Sequence, residues 1–435
     1  MLLNILNDMI RTNHNLNHTH PFDNLDGGLI LRNNETLSAN RLQQKSASIF
    51  LLIGVILIGS NLRAPLTSVG SLISFIRDDL GITNTMAGLI TTLPLLAFAF
   101  LSPFAPKIAN RIGMERTIFY ALLVLTIGIM VRSFFGTSSL FIGTILIGLA
   151  IAIGNVLLPG LIKMNYPLKI GFMTGIYGVF MNIFGGIASG ISVPLASIKN
   201  VGWQGSLGFW GIFSLIALLV WIPQLRKPSQ SPKATSGTAK SVKGKSIWKS
   251  PLAWYITVFM GLQSLMFYTL ITWLPEILSS HGYSSSGGGW MLFLMQLALI
   301  PMTFIIPIVA EKMHDQVILS GITASCFIVG VLGLWIGFKP FLPIAVILLG
   351  VAGGSAFSLS MMFFSLRTNS GQQAAEMSGM AQSFGYLLAA CGPVLFGVLH
   401  DFVDGWRLPL GLLMVLAVVI FLSGIQAGKN RVIAE

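Results

Sequence analysis

Long apolar runs recur along this chain, separated by short polar breaks. A helix of about 20 apolar residues spans the hydrocarbon core of a bilayer. Twelve segments reach that length, at 48–69, 86–105, 117–135, 140–162, 171–195 and 205–223, then 252–274, 287–309, 317–337, 341–365, 377–399 and 407–427. Runs such as Ile118–Val131 and Leu410–Leu422 do not alternate. The pattern therefore predicts helices, not the short alternating strands of an outer-membrane barrel. Gly and Pro punctuate the spans, which transmembrane helices tolerate and use where they pack closely or bend. The expected fold class is an all-α integral membrane protein with twelve transmembrane helices.

The second half echoes the first. Gly202-Trp203-Gln204-Gly205-Ser206-Leu207-Gly208 returns as Gly405-Trp406-Arg407-Leu408-Pro409-Leu410-Gly411, and Pro106-Lys107-Ile108-Ala109-Asn110-Arg111 as Pro307-Ile308-Val309-Ala310-Glu311-Lys312. Gly148 and Ala150 answer to Gly350 and Ala352, and Thr174-Gly175 to Ser378-Gly379. Collinear matches at nearly one offset predict two six-helix bundles, 48–224 and 251–427, related as a parallel repeat of the kind transporters use. Residues 225–250 form a Ser/Lys/Pro-rich basic linker without an acid, which suits a flexible cytoplasmic connection. Residues 1–47 form a polar, Asn-rich extension expected to be disordered, and 428–435 form a short tail.

Composition narrows the function. Charged residues make up 9% of the chain and mean hydropathy is +0.80, against about 25% charged in a soluble domain. A soluble enzyme is excluded. The net charge of +12 is explained by where it lies. With the N-terminus inside, twenty Lys and Arg fall on the cytoplasmic side, seven of them between Arg226 and Lys249. Five fall outside (Arg77, Arg132, Lys199, Lys339, Arg407), and Arg63 lies within the first span. This bias puts both termini in the cytoplasm and the chain in the cell (inner) membrane, with the lipid bilayer as its surroundings and no nucleic acid needed as a partner. Cys326 and Cys391 read as small buried hydrophobes. No metal pair, catalytic grouping or cofactor motif emerges: Gly287-Gly288-Gly289 lacks the lysine of a phosphate loop. Transport would draw on gradients, not on ATP.

Twelve spans, a six-plus-six repeat and a basic central loop together resemble the major facilitator superfamily. Pro106-Lys107-Ile108-Ala109-Asn110-Arg111-Ile112-Gly113 resembles its signature loop Gly-x-Leu-Ala-Asp-Arg-x-Gly, with Pro106 and Asn110 departing and Arg111 and Gly113 matching. The resemblance implies a gating loop at Asn110, Arg111 and Gly113, weakened or rebuilt where the Asp is missing. Asn61-Leu62-Arg63-Ala64-Pro65-Leu66-Thr67-Ser68-Val69-Gly70 is similar to the first helix of the cyanate permease and 2-nitroimidazole exporter group. Asn155-Val156-Leu157-Leu158-Pro159 and the Gly-Trp-x-x-x-Leu-Gly approach to the sixth span resemble the same group, with Gln204 in place of the usual Arg. That resemblance implies a secondary transporter with its own pathway in each chain, hence a monomer.

Arg63 stands out, some fifteen residues into the first span, where a guanidinium facing lipid is costly. It either faces a cavity and binds the electron-rich end of a substrate, pairs with Glu276, or serves structure. Its planar donors suit a carboxylate, nitro or cyanate-like group. Asn61 and Thr67 could extend its site. Asn155, Asn182, Gln263, Gln296 and Gln382 carry amides that hydrocarbon cannot satisfy, read evenly as substrate contacts or interhelical bonds. Gln382 and Tyr386 share a helix face. Tyr177, Tyr268 and Trp273 are aromatics that could line the cavity or simply pack. Glu276 is the candidate for proton coupling, against an outer solvated carboxylate. The expected function is secondary transport of a small anionic or dipolar compound. A broad exporter of apolar or cationic compounds is the alternative, and a non-transporting receptor is a third reading.

Overall fold

The computed structural model describes residues 50–433 apart from 83, 135 and 227–246. The extension 1–47 and most of the linker 225–250 lie outside the described residues. Helices α1 (Phe50–Gly70), α2 (Ile73–Leu80), α3 (Asn84–Leu101), α4 (Ala105–Ile112), α5 (Met114–Phe134), α6 (Thr137–Asn165), α7 (Ile170–Ala196) and α8 (Gly202–Trp221) come first. After the linker follow α9 (Pro251–Ser280), α10 (Ser285–Lys312), α11 (Val317–Ile336), α12 (Leu342–Leu366), α13 (Gly371–Val403) and α14 (Arg407–Gly428). Among the described residues, eleven helices are long and apolar enough to span a membrane, and α3 with α4, bent by 56°, makes a twelfth. Each coincides with one span of the hydropathy pattern. The bend comes at Ser102–Phe104, where Pro103 and Pro106 remove backbone donors. Serines start three later helices: Ser250, Ser284 and Ser370 each accept a bond from the backbone N–H three residues on, the usual N-cap arrangement.

Lipid offers no hydrophobic drive for helices to associate, so close backbone approach through small residues matters more. A Cβ on Gly143 of α6 would sit 2.6 Å from Arg132 Cα of α5, closer than real Cβ contacts. Gly143→Ala is expected to destabilise the protein by about 1–3 kcal/mol, the usual cost of overpacking. A thermal unfolding scan in detergent checks it, and an unchanged midpoint would remove the close approach as a source of stability.

Arg132 is itself fully buried, donating from Nη1 to the Pro65 carbonyl at 2.6 Å, while its Nε and Nη2 find no partner. At the end of α12, Arg367 gathers neighbouring segments: Nε donates to Ala427 O at 2.9 Å, and Nη2 to Gly428 O at 2.8 Å and to Gln316 Oε1. Burial lowers its pKa to about 10, the nearby Asp315 carboxylate pulling the other way, so it stays charged at neutral pH. The cysteines differ from expectation: Cys326 is half-buried and Cys391 exposed, since an apolar side chain gains nothing by hiding from lipid.

Candidate functional site

The site begins at a break in α1. Pro65 has no N–H and its ring clashes with the carbonyl four residues back, so the helix is interrupted at Leu62–Arg63 and resumes with Leu66 N and Thr67 N both bonded to Arg63 O at 3.0 Å. Arg63 therefore leaves the helix axis with φ −125° and ψ −38°. Its stem lies against Gly185 of α7, where an added Cβ would meet Cγ and Cδ at 3.1 Å. Nη1 donates to Asn182 Oδ1 at 2.5 Å, and Cζ lies 5.3 Å from the Phe267 ring centroid on α9. One guanidinium thus touches both halves of the chain.

Around it lies a cavity of about 70 Å³, several times the roughly 10–15 Å³ that a single water requires. Polar groups converge on it: Arg63, Asn155, Asn182, Gln263, Ser264, Tyr268, Thr303 and Tyr386. Apolar walls come from Leu62, Leu66, Phe98, Met181, Met260, Phe267, Leu299 and Phe357, with Gly353 leaving space. Phe98 meets Tyr386 edge-on at 4.7 Å, so aromatic packing also joins the halves here. Mostly apolar walls with a few aimed polar groups are the usual make-up of a small-molecule site.

Of the residues singled out by the sequence, Arg63, Asn155, Asn182, Gln263, Tyr268 and Tyr386 line this cavity. The others lie elsewhere. Asn61 is buried, with Nδ2 donating to Leu57 O at 2.9 Å and Phe213 O at 3.4 Å, so it ties α1 to α8. Thr67 donates to Gly185 O at 2.8 Å, fixing α1 to α7 one turn beyond Arg63. Gln296 is half-buried and its Oε1 has no partner. Tyr177 is buried against Gly59. Trp273 donates to Pro393 O at 2.8 Å and packs at a 50° tilt against Trp406, ring centroids 5.4 Å apart. Glu276 is exposed near the end of α9, and among the described residues no carboxylate lies within ion-pair distance of Arg63. Phe267, Ser264 and Thr303 are cavity residues that sequence reasoning missed. Thr303 sits mid-span like Asn155, and Phe267 sits four residues beyond Gln263 on the same helix face, which were the available signals.

Below the cavity, towards the end where α1 starts and α14 finishes, the halves are zipped together. Gln382 Nε2 donates to Asn155 O at 3.0 Å and to Ser378 Oγ at 2.7 Å, and Ser383 Oγ to Ala99 O at 2.6 Å. Lys163 of α6 reaches the buried carbonyls at and just past the end of α12, donating to Ser365 O at 2.5 Å, to Thr368 O and to Thr368 Oγ1 at 3.1 Å. Those carbonyls carry the negative end of the helix dipole, which favours a cation. Gly160 faces Gly371, and Gly171 faces Pro307, each without room for a side chain. In the loop candidate, Asn110 and Arg111 are exposed on α4, while Gly113 caps that helix at φ 95° and donates to Ala109 O at 2.8 Å. The same helix packs on α13, where Gly379 faces Ser102 and Pro106.

Comparison with known proteins adds to this geometry. Residues 49–387 match the profile of the Major Facilitator Superfamily. An uncharacterized transporter of Bacillus subtilis is 47% identical over 90% of this chain and 96% of its own length. The 2-nitroimidazole transporter of Escherichia coli is 42% identical over 88% of this chain and 96% of its own. The cyanate transport protein of the same bacterium is 26% identical over 81% and 90%. The solved structure of the transporter FucP superimposes with a TM-score of 0.70 at 12% identity, covering 87% of this chain and 99% of that one, which speaks for the fold alone.

Proposed function

The chain belongs to the Major Facilitator Superfamily, and from that premise we propose that it moves a small anionic or strongly dipolar compound across the membrane by alternating access about Arg63. The observation that carries this is a single guanidinium in a small cavity between the halves, with no carboxylate in ion-pair reach among the described residues. A drug exporter for cations needs the opposite sign there. The names of the relatives, a 2-nitroimidazole transporter and a cyanate transport protein, support the same class: compounds with an electron-rich, planar end that a guanidinium can hold by paired bonds.

In this reading the bundles 48–224 and 251–427 rock against each other as units, 225–250 links them, and Asn155, Asn182, Gln263, Tyr268 and Tyr386 contact the substrate beside Arg63. The lysine and arginine bias supports a cytoplasmic position for the zipped end; in this reading that end is the inner gate, with Asn110, Arg111 and Gly113 beside it. Counterflow in proteoliposomes tests transport: labelled cyanate, a small carboxylate or a nitroimidazole should accumulate against its own unlabelled pool. Absence of counterflow for the whole panel, with apolar drugs moving instead, would favour the broad exporter. Absence for both would favour a non-transporting receptor.

Coupling is a separate question. Glu276 lies on the helix that supplies Gln263, Ser264, Phe267 and Tyr268, but two turns beyond the last of them. If it carries a proton, Glu276→Gln should abolish accumulation driven by a pH gradient while exchange continues. Unchanged accumulation would remove it from the mechanism.

A further inference from the structure

The charge of the cavity turns on the residue that holds its arginine. Asn182 Nδ2 donates to the Gly178 carbonyl one turn earlier at 2.9 Å, and that bond leaves Oδ1 facing Arg63 Nη1 at 2.5 Å. Only the amide oxygen can accept from a guanidinium, so the two bonds fix which way round the amide sits. An aspartate here would have the same size and reach, and it would add a full compensating charge beside the half-buried guanidinium. The remaining neighbours of Arg63 carry no charge: Gly185 lies against its stem and the Phe267 ring lies by its head. The guanidinium is therefore held but not neutralised.

We propose that Asn182 is the specificity-determining residue of the cavity, and that by orienting Arg63 without cancelling it, it makes the site select compounds bearing a single negative charge. An entering anion exchanges a neutral acceptor at Nη1 for a charged one, which adds the attraction of opposite charges to a bond whose donor is already ionised. Were the acceptor already a carboxylate, that exchange would gain nothing. This rests on the reading that Arg63 binds the substrate.

The test uses the full chain in proteoliposomes with labelled cyanate and benzoate as monoanion probes and benzamide as the neutral counterpart of benzoate. Asn182→Asp should lower uptake of both anions at least thirtyfold, while Asn182→Leu, similar in volume and neutral but without the oxygen that orients Arg63, should lower it by at least threefold less than the aspartate does. Preference for benzoate over benzamide should persist in Asn182→Leu and in Asn182→Gln, which keeps the inference open to refutation even if the aspartate variant fails to fold. Normal anion uptake by a folded Asn182→Asp, or loss of the benzoate preference in the neutral variants, would overturn it. Arg63→Gln separates the two levels. If that variant transports normally, or wild type takes up neither anion, the substrate reading falls and this inference with it. If Arg63→Gln is inactive and Asn182→Asp is not, only this inference falls.

Discussion

Arg63→Gln is expected to reduce uptake of the anionic substrate by roughly 30- to 4,000-fold with the fold intact. Removing one member of a buried, hydrogen-bonded charge pair costs about 2–5 kcal/mol, and each 1.4 kcal/mol is a factor of ten. Glutamine keeps an amide near Asn182 but loses both the charge and the planar fork. Among the described residues that line the cavity no other supplies a positive charge, since the remaining polar groups are amides and hydroxyls. Arg63→Lys keeps the charge as a point and loses the bidentate geometry, so it should fall between wild type and glutamine. Initial uptake rates in proteoliposomes, with thermal unfolding as a control for folding, check both variants. Normal rates in both would move Arg63 to a structural role at the break in α1.

The second large effect concerns the zipped end. A Cβ on residue 160 would sit 2.5 Å from Gly371 O and 3.1 Å from the Ala375 methyl. Valine there cannot be accommodated while α6 and α13 touch, yet it costs nothing in a state where they have parted. A change that penalises one conformation alone shifts the population by that differential amount, and 1–3 kcal/mol of overpacking means roughly a 5- to 150-fold shift. Gly160→Val is therefore expected to slow uptake by about fivefold or more and to open the seam. A cysteine at Ala375, in a background lacking Cys326 and Cys391, should react with a bulky water-soluble maleimide at least tenfold faster when Gly160→Val is present. Unchanged labelling in a folded protein would show that the seam does not part between these helices.

Most of the fold was legible because a bilayer imposes one length and one polarity on every span, and the sequence meets that constraint twelve times. The bend between α3 and α4 was less so. Hydropathy runs on past Leu101, and only the proline pair Pro103 and Pro106 marks it. Within the site, polar residues buried in apolar spans were the readable signal, and it found Arg63, Asn155, Asn182 and Gln263. It could not rank depth or facing. Asn61 turns to α8 and Gln296 away from the cavity, although both looked equivalent to Asn155 in sequence. Thr303 escaped notice because a threonine can satisfy itself within its own helix, here on Ile300 O at 2.7 Å. The repeat was readable in the site as well. Asn182 and Tyr386, equivalent under the 204-residue offset that relates Thr174 to Ser378, both line the cavity, while Gly178 and Gln382, one turn earlier in each half, both lie at the contact between halves.

Equilibrium binding gives the most direct test of a central anion site. Purified wild-type protein in nanodiscs should bind one labelled member of the panel of cyanate, small carboxylates and a nitroimidazole, saturably and once per chain. The same measurement on Arg63→Gln should show that binding lost. Binding of unchanged affinity in the Arg63→Gln protein would contradict a site built on this guanidinium.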